Sequence, residues 1–478
     1  MSRAAACFAL LLGCCGQITI MAPPSLQQQF ARTNGRIDGA TCAFGAPFYG
    51  DDVLGKLVYA SSKGQKHCSA EDYDLSGLDV NGSLSGEVRL INIVIVHRGS
   101  CPLTRKVQIA SDKGAHAVII VNDKKSKMTA EELHHLPLGD DGSGADIAIP
   151  SLLISYADGH ALLEALSDGE VILELLWKVP SDHIVQVDFW MTAGSKRHLM
   201  FLKEFASYRR KLNEVLLFQP HFQVFQIPTM ATSPQHGVYN QLCSDSSGTF
   251  CAEDPDAVGP VTGADVLEED LRQLCLHQLT KVSRPSDRLS GTREVEFASG
   301  YWDYVEKFAD WCTVDSDDPE TRFGDSCSYQ LMRSLSVDVD AVQACVGDSR
   351  TEKLTAERDN KAWSPGALRI NGWRYMGMVD AELVTRAICS GFIKRPWECN
   401  DIVRPRDPFV RTIDKGPQLA NGPLVVVGLL VLIFSIMGAF VMASSSLKST
   451  ARGLIRDEVM LEVRSRVDDY RQMDSGGI

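Results

Sequence analysis

Val88–His97, VRLINIVIVH, is the stretch on which the reading of the fold turns. It is a run of isoleucine and valine with little polar alternation, which is the pattern of a strand covered on both faces. Working outward, Thr104–Lys113 reads as a helix and Ala117–Asn122 (AVIIVN) as a second strand. Ile147–Ser155 (IAIPSLLIS) reads as a third strand, with Pro150 suggesting an edge or a bulge. Ala157–Leu166 is helical in pattern and Val171–Trp177 is again strand-like. Strands alternating with helices, with glycines at the turns, predict a compact α/β unit over residues 37–190.

A second unit is expected over 194–399. Ser195–Leu216 carries Leu199, Leu202, Phe205, Leu212 and Leu216 at helical spacing, and Val215–Ile227 follows as a β-type run. Asp265–Leu279 and Tyr301–Cys312 read as helices, and Cys327–Cys345 holds another. Ala367–Tyr375 reads as a strand pair turned at Asn371-Gly372, and Ala381–Phe392 as a closing helix. The mixture is α+β.

Both ends of the chain speak of a membrane. Leu424–Ala443, LVVVGLLVLIFSIMGAFVMA, has no charge and no proline, and twenty residues at about 1.5 Å rise span roughly 30 Å. It is expected to be a transmembrane helix. Arg3 followed by the apolar Ala4–Cys15 and then Gly16 has the form of a secretory signal peptide over 1–16. Together they predict a type I single-pass protein with 400–423 as a linker and 444–478 as a short cytosolic tail. In the tail, Tyr470-Arg471-Gln472-Met473 is tyrosine, any two residues, then a bulky apolar one. That spacing lets an extended segment present one aromatic and one apolar anchor to the same partner.

Net charge is −13, which argues against nucleic acid as a partner. Three of the 14 cysteines lie in the leader, and eleven remain: Cys42, Cys68, Cys101, Cys243, Cys251, Cys275, Cys312, Cys327, Cys345, Cys389 and Cys399. In an oxidising compartment most should pair, in a connectivity that spacing does not reveal, and an odd number leaves one over. No C-x-x-C, H-E-x-x-H or G-x-S-x-G follows the leader. Neither a catalytic centre, a metal nor a cofactor is therefore expected. His134-His135 beside the acidic, glycine-rich Gly139–Asp146 segment reads as a surface loop. Asn81-Gly82-Ser83 is a glycosylation sequon in a polar stretch.

The residues Ile93–Cys101, Lys106, Lys113–Asn122, Ile149-Pro150-Ser151 and Ser155–Gly159 resemble a protease-associated (PA) domain. Cys42–Gly45, Phe48-Tyr49-Gly50 and Gln65–Cys68 narrow the resemblance to the PA domains of plant-type vacuolar sorting receptors. The second unit is similar to the same family through Phe250-Cys251-Ala252, Asp254-Pro255-Asp256, Trp302–Val305, Cys345–Asp348, Ile370-Asn371-Gly372 with Arg374-Tyr375, and Ala387–Phe392. The resemblance implies a PA domain followed by a cysteine-rich, thioredoxin-like domain. It also implies that the loop Arg98, Gly99, Ser100, Cys101, Pro102, Leu103 contacts an extended cargo peptide.

Several positions depart from the family pattern. Ser100, Pro102 and Leu103 stand where the family usually has an acidic residue and two aromatics. Ala193 and Arg197 replace a cysteine pair, Ile227 replaces a cysteine before proline, and the proline expected at the last strand is displaced to Pro365. No EGF-like repeats fit between Cys399 and the membrane helix.

The expected function is a sorting receptor of the Golgi and of prevacuolar, endosomal or vacuolar membranes, not an enzyme. It would bind soluble hydrolase-type cargo in the lumen and a clathrin adaptor through its tail. The competing classes are an adhesion or accessory membrane protein, and a lumenal thiol oxidoreductase or hydrolase. A PA-domain ubiquitin ligase would need a metal-binding RING, and the tail has neither cysteine nor histidine.

Overall fold

Val88–His97 is a strand along its whole length. Ile91, Ile93 and Ile95 point to one side and Val94 and Val96 to the other, and all are buried. A strand with two covered faces is what its unbroken apolar run requires.

The computed structural model describes residues 16–411, apart from 60–65, 76–77, 80, 86–87, 127, 130–131, 134–135, 137, 213–214, 228–240, 258 and 286–293. Residues 1–15 of the expected leader, His134 and His135, the helix at 424–443 and the tail with Tyr470 and Met473 lie outside the described residues. Among the described residues no helix is long and apolar enough to cross a membrane.

The first domain runs β1 (Gly16–Ala22), α1 (Pro24–Gln29), β2 (Arg36–Thr41), β3 (Val53–Tyr59), β4 (Ser83–Ser85), β5 (Val88–His97), α2 (Leu103–Asp112), β6 (Ala117–Val121), β7 (Ser151–Ile154), α3 (Tyr156–Asp168) and β8 (Ile172–Trp177). Hydrogen bonding follows β3-β8-β1-β2-β7-β6-β5 and returns from β5 to β3, so these strands close on themselves, with β4 added to β5. The neighbours β3, β5, β6 and β7 are parallel, while β2, β1 and β8 complete the ring antiparallel. Closure removes free sheet edges from the ring. The sheet begins at Gly16, upstream of the expected start at residue 37, and pairs Gly16 with both Gly39 and Trp177. Pro150 does not mark an edge. It precedes β7, which lies between β2 and β6, and its carbonyl accepts from the Val118 N–H at 3.0 Å.

The second domain opens with β9 (Val185–Met191), α4 (Lys196–Lys211) and β10 (Leu216–Phe222), a parallel β-α-β unit. The expected domain boundary near residue 190 is therefore corrected, because β9 pairs only with later strands. Then come α5 (Gly263–Leu279), the hairpin β11 (Lys281–Pro285) and β12 (Glu294–Ala298), α6 (Ser299–Trp311), α7 (Asp325–Ser334) and α8 (Val339–Asp359). Two helices thus occupy the region where one was expected. β13 (Leu368–Ile370), β14 (Trp373–Arg374), α9 (Ala381–Ser390) and α10 (Glu398–Ile402) complete the domain, whose sheet order is β10-β9-β13-β14.

Local chemistry explains several boundaries. The Ser195 hydroxyl caps α4 by accepting from the His198 N–H, and Thr262 with Asp265 forms a reciprocal capping box on α5. Asn371 (φ 51°) and Gly372 (φ 78°) turn β13 into β14, both in the left-handed region that a two-residue hairpin demands. The Asn371 side chain also donates to the carbonyls of Pro180 and Gly391 and accepts from the Gln186 N–H at 2.9 Å. One turn residue thereby ties β9 to the end of α9.

Ten of the eleven cysteines pair: Cys68–Cys101, Cys243–Cys251, Cys275–Cys345, Cys312–Cys327 and Cys389–Cys399. Cys42, a disulfide candidate from sequence, is the free thiol; it is fully buried, and burial pushes its pKa up to about 12. The segment after α10, expected as linker, runs back over the first domain. Arg406 donates to the carbonyls of Ala46 and of Ala148 (2.8 Å) and stacks on Phe48, while Phe409 packs under the Arg89 guanidinium at 3.7 Å. Tyr49 stacks on Tyr375 with centroids 5.4 Å apart, joining the two domains directly.

Candidate functional site

The parallel strands β5, β6 and β7 all end on one side of the first domain, where connections leave the sheet and ligands commonly bind. Each connection is stitched to its neighbour: the Arg98 N–H donates to Val121 (2.8 Å) and the Asn122 N–H to Ile154 (3.0 Å). The loop Arg98–Leu103 carries the chain from β5 into α2. Arg98 is exposed, and its Nη1 donates to Oδ1 of the buried Asn122 at 3.1 Å. Asn122 in turn donates to Ser126 Oγ at 3.0 Å.

Gly99 (φ 106°) and Ser100 (φ 70°) form the tip in left-handed backbone. A side chain at 99 would meet nothing within 4 Å, so the glycine answers to its dihedral angle and not to crowding. Ser100 holds a conformation uncommon for a residue with a Cβ, a feature that recurs at functional loops.

The far side of the loop is fastened as well. Cys101 is bonded to Cys68, Pro102 leads into the first turn of α2, and Leu103 is half-buried. The Thr104 hydroxyl donates to the Asp141 carboxylate at 2.9 Å, which docks the acidic Gly139–Asp146 segment onto the start of α2. Hydrogen bonds from the Ser143 N–H and Thr104 hold the Asp141 carboxyl below its ordinary pKa.

Beneath the loop lies the buried Lys106, whose ammonium donates to the Lys66 carbonyl and lies 3.7 Å from Cys68 Sγ. Burial pushes it down to about 8. Around it stand Tyr59, His67, Tyr73 and His97, with neighbouring ring centroids 5.3–6.2 Å apart. Burial, and then the charge of Lys106, lowers the pKa of His97. The Tyr73 hydroxyl donates to the Lys106 carbonyl at 2.8 Å.

The arrangement is a rigid, exposed hook on a cationic base. It offers guanidinium donors, one hydroxyl and loop backbone to an extended chain, which suits recognition by hydrogen bonding. The six residues singled out from sequence are contiguous at this site. Asn122, Asp141, Thr104 and Cys68, which hold them, were not singled out as partners. Cys68 stood among the disulfide candidates and Asp141 in the acidic Gly139–Asp146 segment, while Asn122 was marked only as the polar residue ending an apolar strand. Asn81 is an exposed turn residue whose N–H donates to Asp79. Among the described residues no group of three His, Cys, Asp or Glu side chains is placed to hold a metal ion.

In the second domain the β9–α4 turn reads Thr192-Ala193-Gly194-Ser195, without cysteine. The Ala193 N–H donates at 2.9 Å to the buried Asp270, whose pKa burial raises well above the ordinary carboxylate value.

Residues 53–162 match the family model of the PA domain, and residues 185–389 match that of the vacuolar sorting receptor thioredoxin-like domain. Among curated proteins the chain is similar to Vacuolar-sorting receptor 1 of Pisum sativum, 28% identical over 76% of this chain and 58% of that one. Vacuolar-sorting receptor 6 of Arabidopsis thaliana is 26% identical over 79% and 58%. The chain thus spans little more than half the length of these relatives. Solved structures that align include DsbA from Mycobacterium tuberculosis in its reduced form, 13% identical over 47% of this chain and 95% of that chain, with a TM-score of 0.27. The chain thus carries both domains in this order and is similar to the vacuolar sorting receptors across them.

Proposed function

We propose that this chain is a type I membrane sorting receptor that binds soluble, hydrolase-type cargo peptides in the Golgi lumen through Arg98–Leu103. The observation that supports it best is the bracing of that loop: Asn122 on one side, Cys68 and Asp141 on the other, with the tip held out in left-handed backbone. A loop fixed in advance loses little entropy when it captures a flexible peptide. Delivery to a vacuole or lysosome-like compartment would run through a clathrin adaptor reading Tyr470 and Met473. Glycosylation at Asn81 belongs to the same reading. The role is binding, not catalysis.

The test is affinity capture of lumenal hydrolases by the full chain and by Arg98→Ala. Capture should weaken about tenfold, the cost expected for a charge-assisted hydrogen bond. Undiminished capture would remove the loop from the reading, and absence of any capture would remove the receptor. In cells, Tyr470→Ala should accumulate at the surface; an unchanged distribution would count against the adaptor signal.

A further inference from the structure

The sheet of the second domain has an apolar face, with Val185, Val187, Phe189 and Met191 buried, and an opposite face that is polar and aromatic. On that face Arg369 and Arg374 are register partners across β13 and β14, so two guanidinium groups stand directly opposite each other. Like charges in that position repel. Both flank one indole: their guanidinium carbons lie 5.5 Å and 4.5 Å from the Trp363 ring centre, and Arg369 also lies 5.0 Å from that of Trp190.

The acids of the neighbourhood are engaged elsewhere. Asp188, the register partner of Arg369 on β9, accepts from Gln186 at 3.1 and 3.2 Å and faces His221 at 3.5 Å. Glu357 faces His221 from the other side at 3.4 Å and accepts from the Phe222 N–H at 2.8 Å. Neither arginine forms an ion pair among the described residues, and the buried Nε of Arg374 has no acceptor there. In a chain of net charge −13, such a pair is not the by-product of a basic surface.

We infer that Arg369, Arg374 and Trp363 form a docking site for a carboxylate-bearing extended peptide segment. A guanidinium fork matches a carboxylate in plane and spacing, and the indole supports the methylenes of a glutamate. β14 ends the sheet order, so its outer side can pair with an extended backbone as well. The site is independent of Arg98–Leu103.

The test uses the full chain in detergent at low ionic strength, titrated with an end-capped pentapeptide carrying two glutamates and with its glutamine twin. The acidic peptide should bind about tenfold tighter, lose that preference in Arg369→Gln/Arg374→Gln, and keep it in Arg98→Ala. Equal binding of the two peptides, or a preference that survives the double variant, overturns the site. Should the double variant lose its near-UV dichroism, Arg369→Gln alone is read. A drop of about threefold supports the site and none overturns it. Inorganic phosphate that displaces the acidic peptide at equal concentration overturns the peptide assignment.

Discussion

Replacing Cys68 and Cys101 by alanine tests the bracing of the loop most quantitatively. The bridge closes a chain separation of 33 residues. Loop-closure entropy of about 2.1 + 1.5R ln n cal/mol/K then gives roughly 3.7 kcal/mol at 25 °C. For Cys243–Cys251, with a separation of 8, the same relation gives roughly 2.5 kcal/mol. In a domain of this size each kcal/mol moves the midpoint by about 2–4 °C, so the first domain should melt roughly 7–15 °C lower. Differential scanning calorimetry of the full chain measures this directly, and cargo capture below the new midpoint should weaken too. A loss under about 1 kcal/mol, or full capture by the folded variant, would refute the idea that this bridge sets the loop.

Three further outcomes follow from charges inside the fold. His198 and His277 are buried and held neutral, with burial lowering their pKa from 6.5 to about 4 and about 3. Their unfolded forms take up protons first, so stability present above pH 6.5 is lost as pH falls, by the order of 3 kcal/mol for His198 at about 1.36 kcal/mol per unit. His221 has the opposite sign. Burial opposes its charge, but Asp188 and Glu357 outweigh that and raise it to about 9, so its contribution is full below 6.5 and fades towards pH 9. Midpoints should therefore peak near neutrality, and His221→Gln should flatten the alkaline limb; an unchanged limb refutes the assignment.

Arg272→Ala strands Glu269, which is completely buried and paired at 2.8 Å, and should cost about 3–5 kcal/mol by urea unfolding. Arg350→Ala, which breaks a half-exposed pair with the adjacent Glu268, should cost under about 1 kcal/mol. Equal losses would refute the distinction. Arg406→Ala should loosen the segment 403–411 and raise hydrogen exchange next to Ala46 and Ala148; unchanged exchange would mean that Phe409 and Arg411 suffice to hold the segment.

The parts of the fold legible in sequence were those whose burial is local and two-sided. VRLINIVIVH announces itself because Ile91, Ile93 and Ile95 face the ring interior while Val94 and Val96 face α2. β3 did not, because Gly55 and Lys56 interrupt its pattern; an added Cβ at Gly55 would lie 2.5 Å from the Ile93 side chain, so the glycine makes room for Ile93 where β3 pairs with β5. β1 and β9 were hidden for another reason. Each is flanked on one side by a near neighbour, β2 or β10, and on the other by a strand far away in sequence, β8 with Trp177 for β1 and Leu368–Ile370 for β9.

At the site, the family resemblance marked the loop Arg98–Leu103, but its restraints come from Asn122 and Asp141, which only the folded register brings near. Composition misread the segment after α10 in the same way. Proline and arginine suggested a free linker, yet Arg406 is largely buried against carbonyls of the first domain.

The most direct measurement places a photo-crosslinking side chain at Ser100 of the full chain in secretory cells, with the same group at the exposed Ser167 as control. Position 100 should trap soluble lumenal proteins, and Arg98→Ala should cut the trapping about tenfold. Equal yields at both positions, or none at 100, would contradict cargo recognition by the loop.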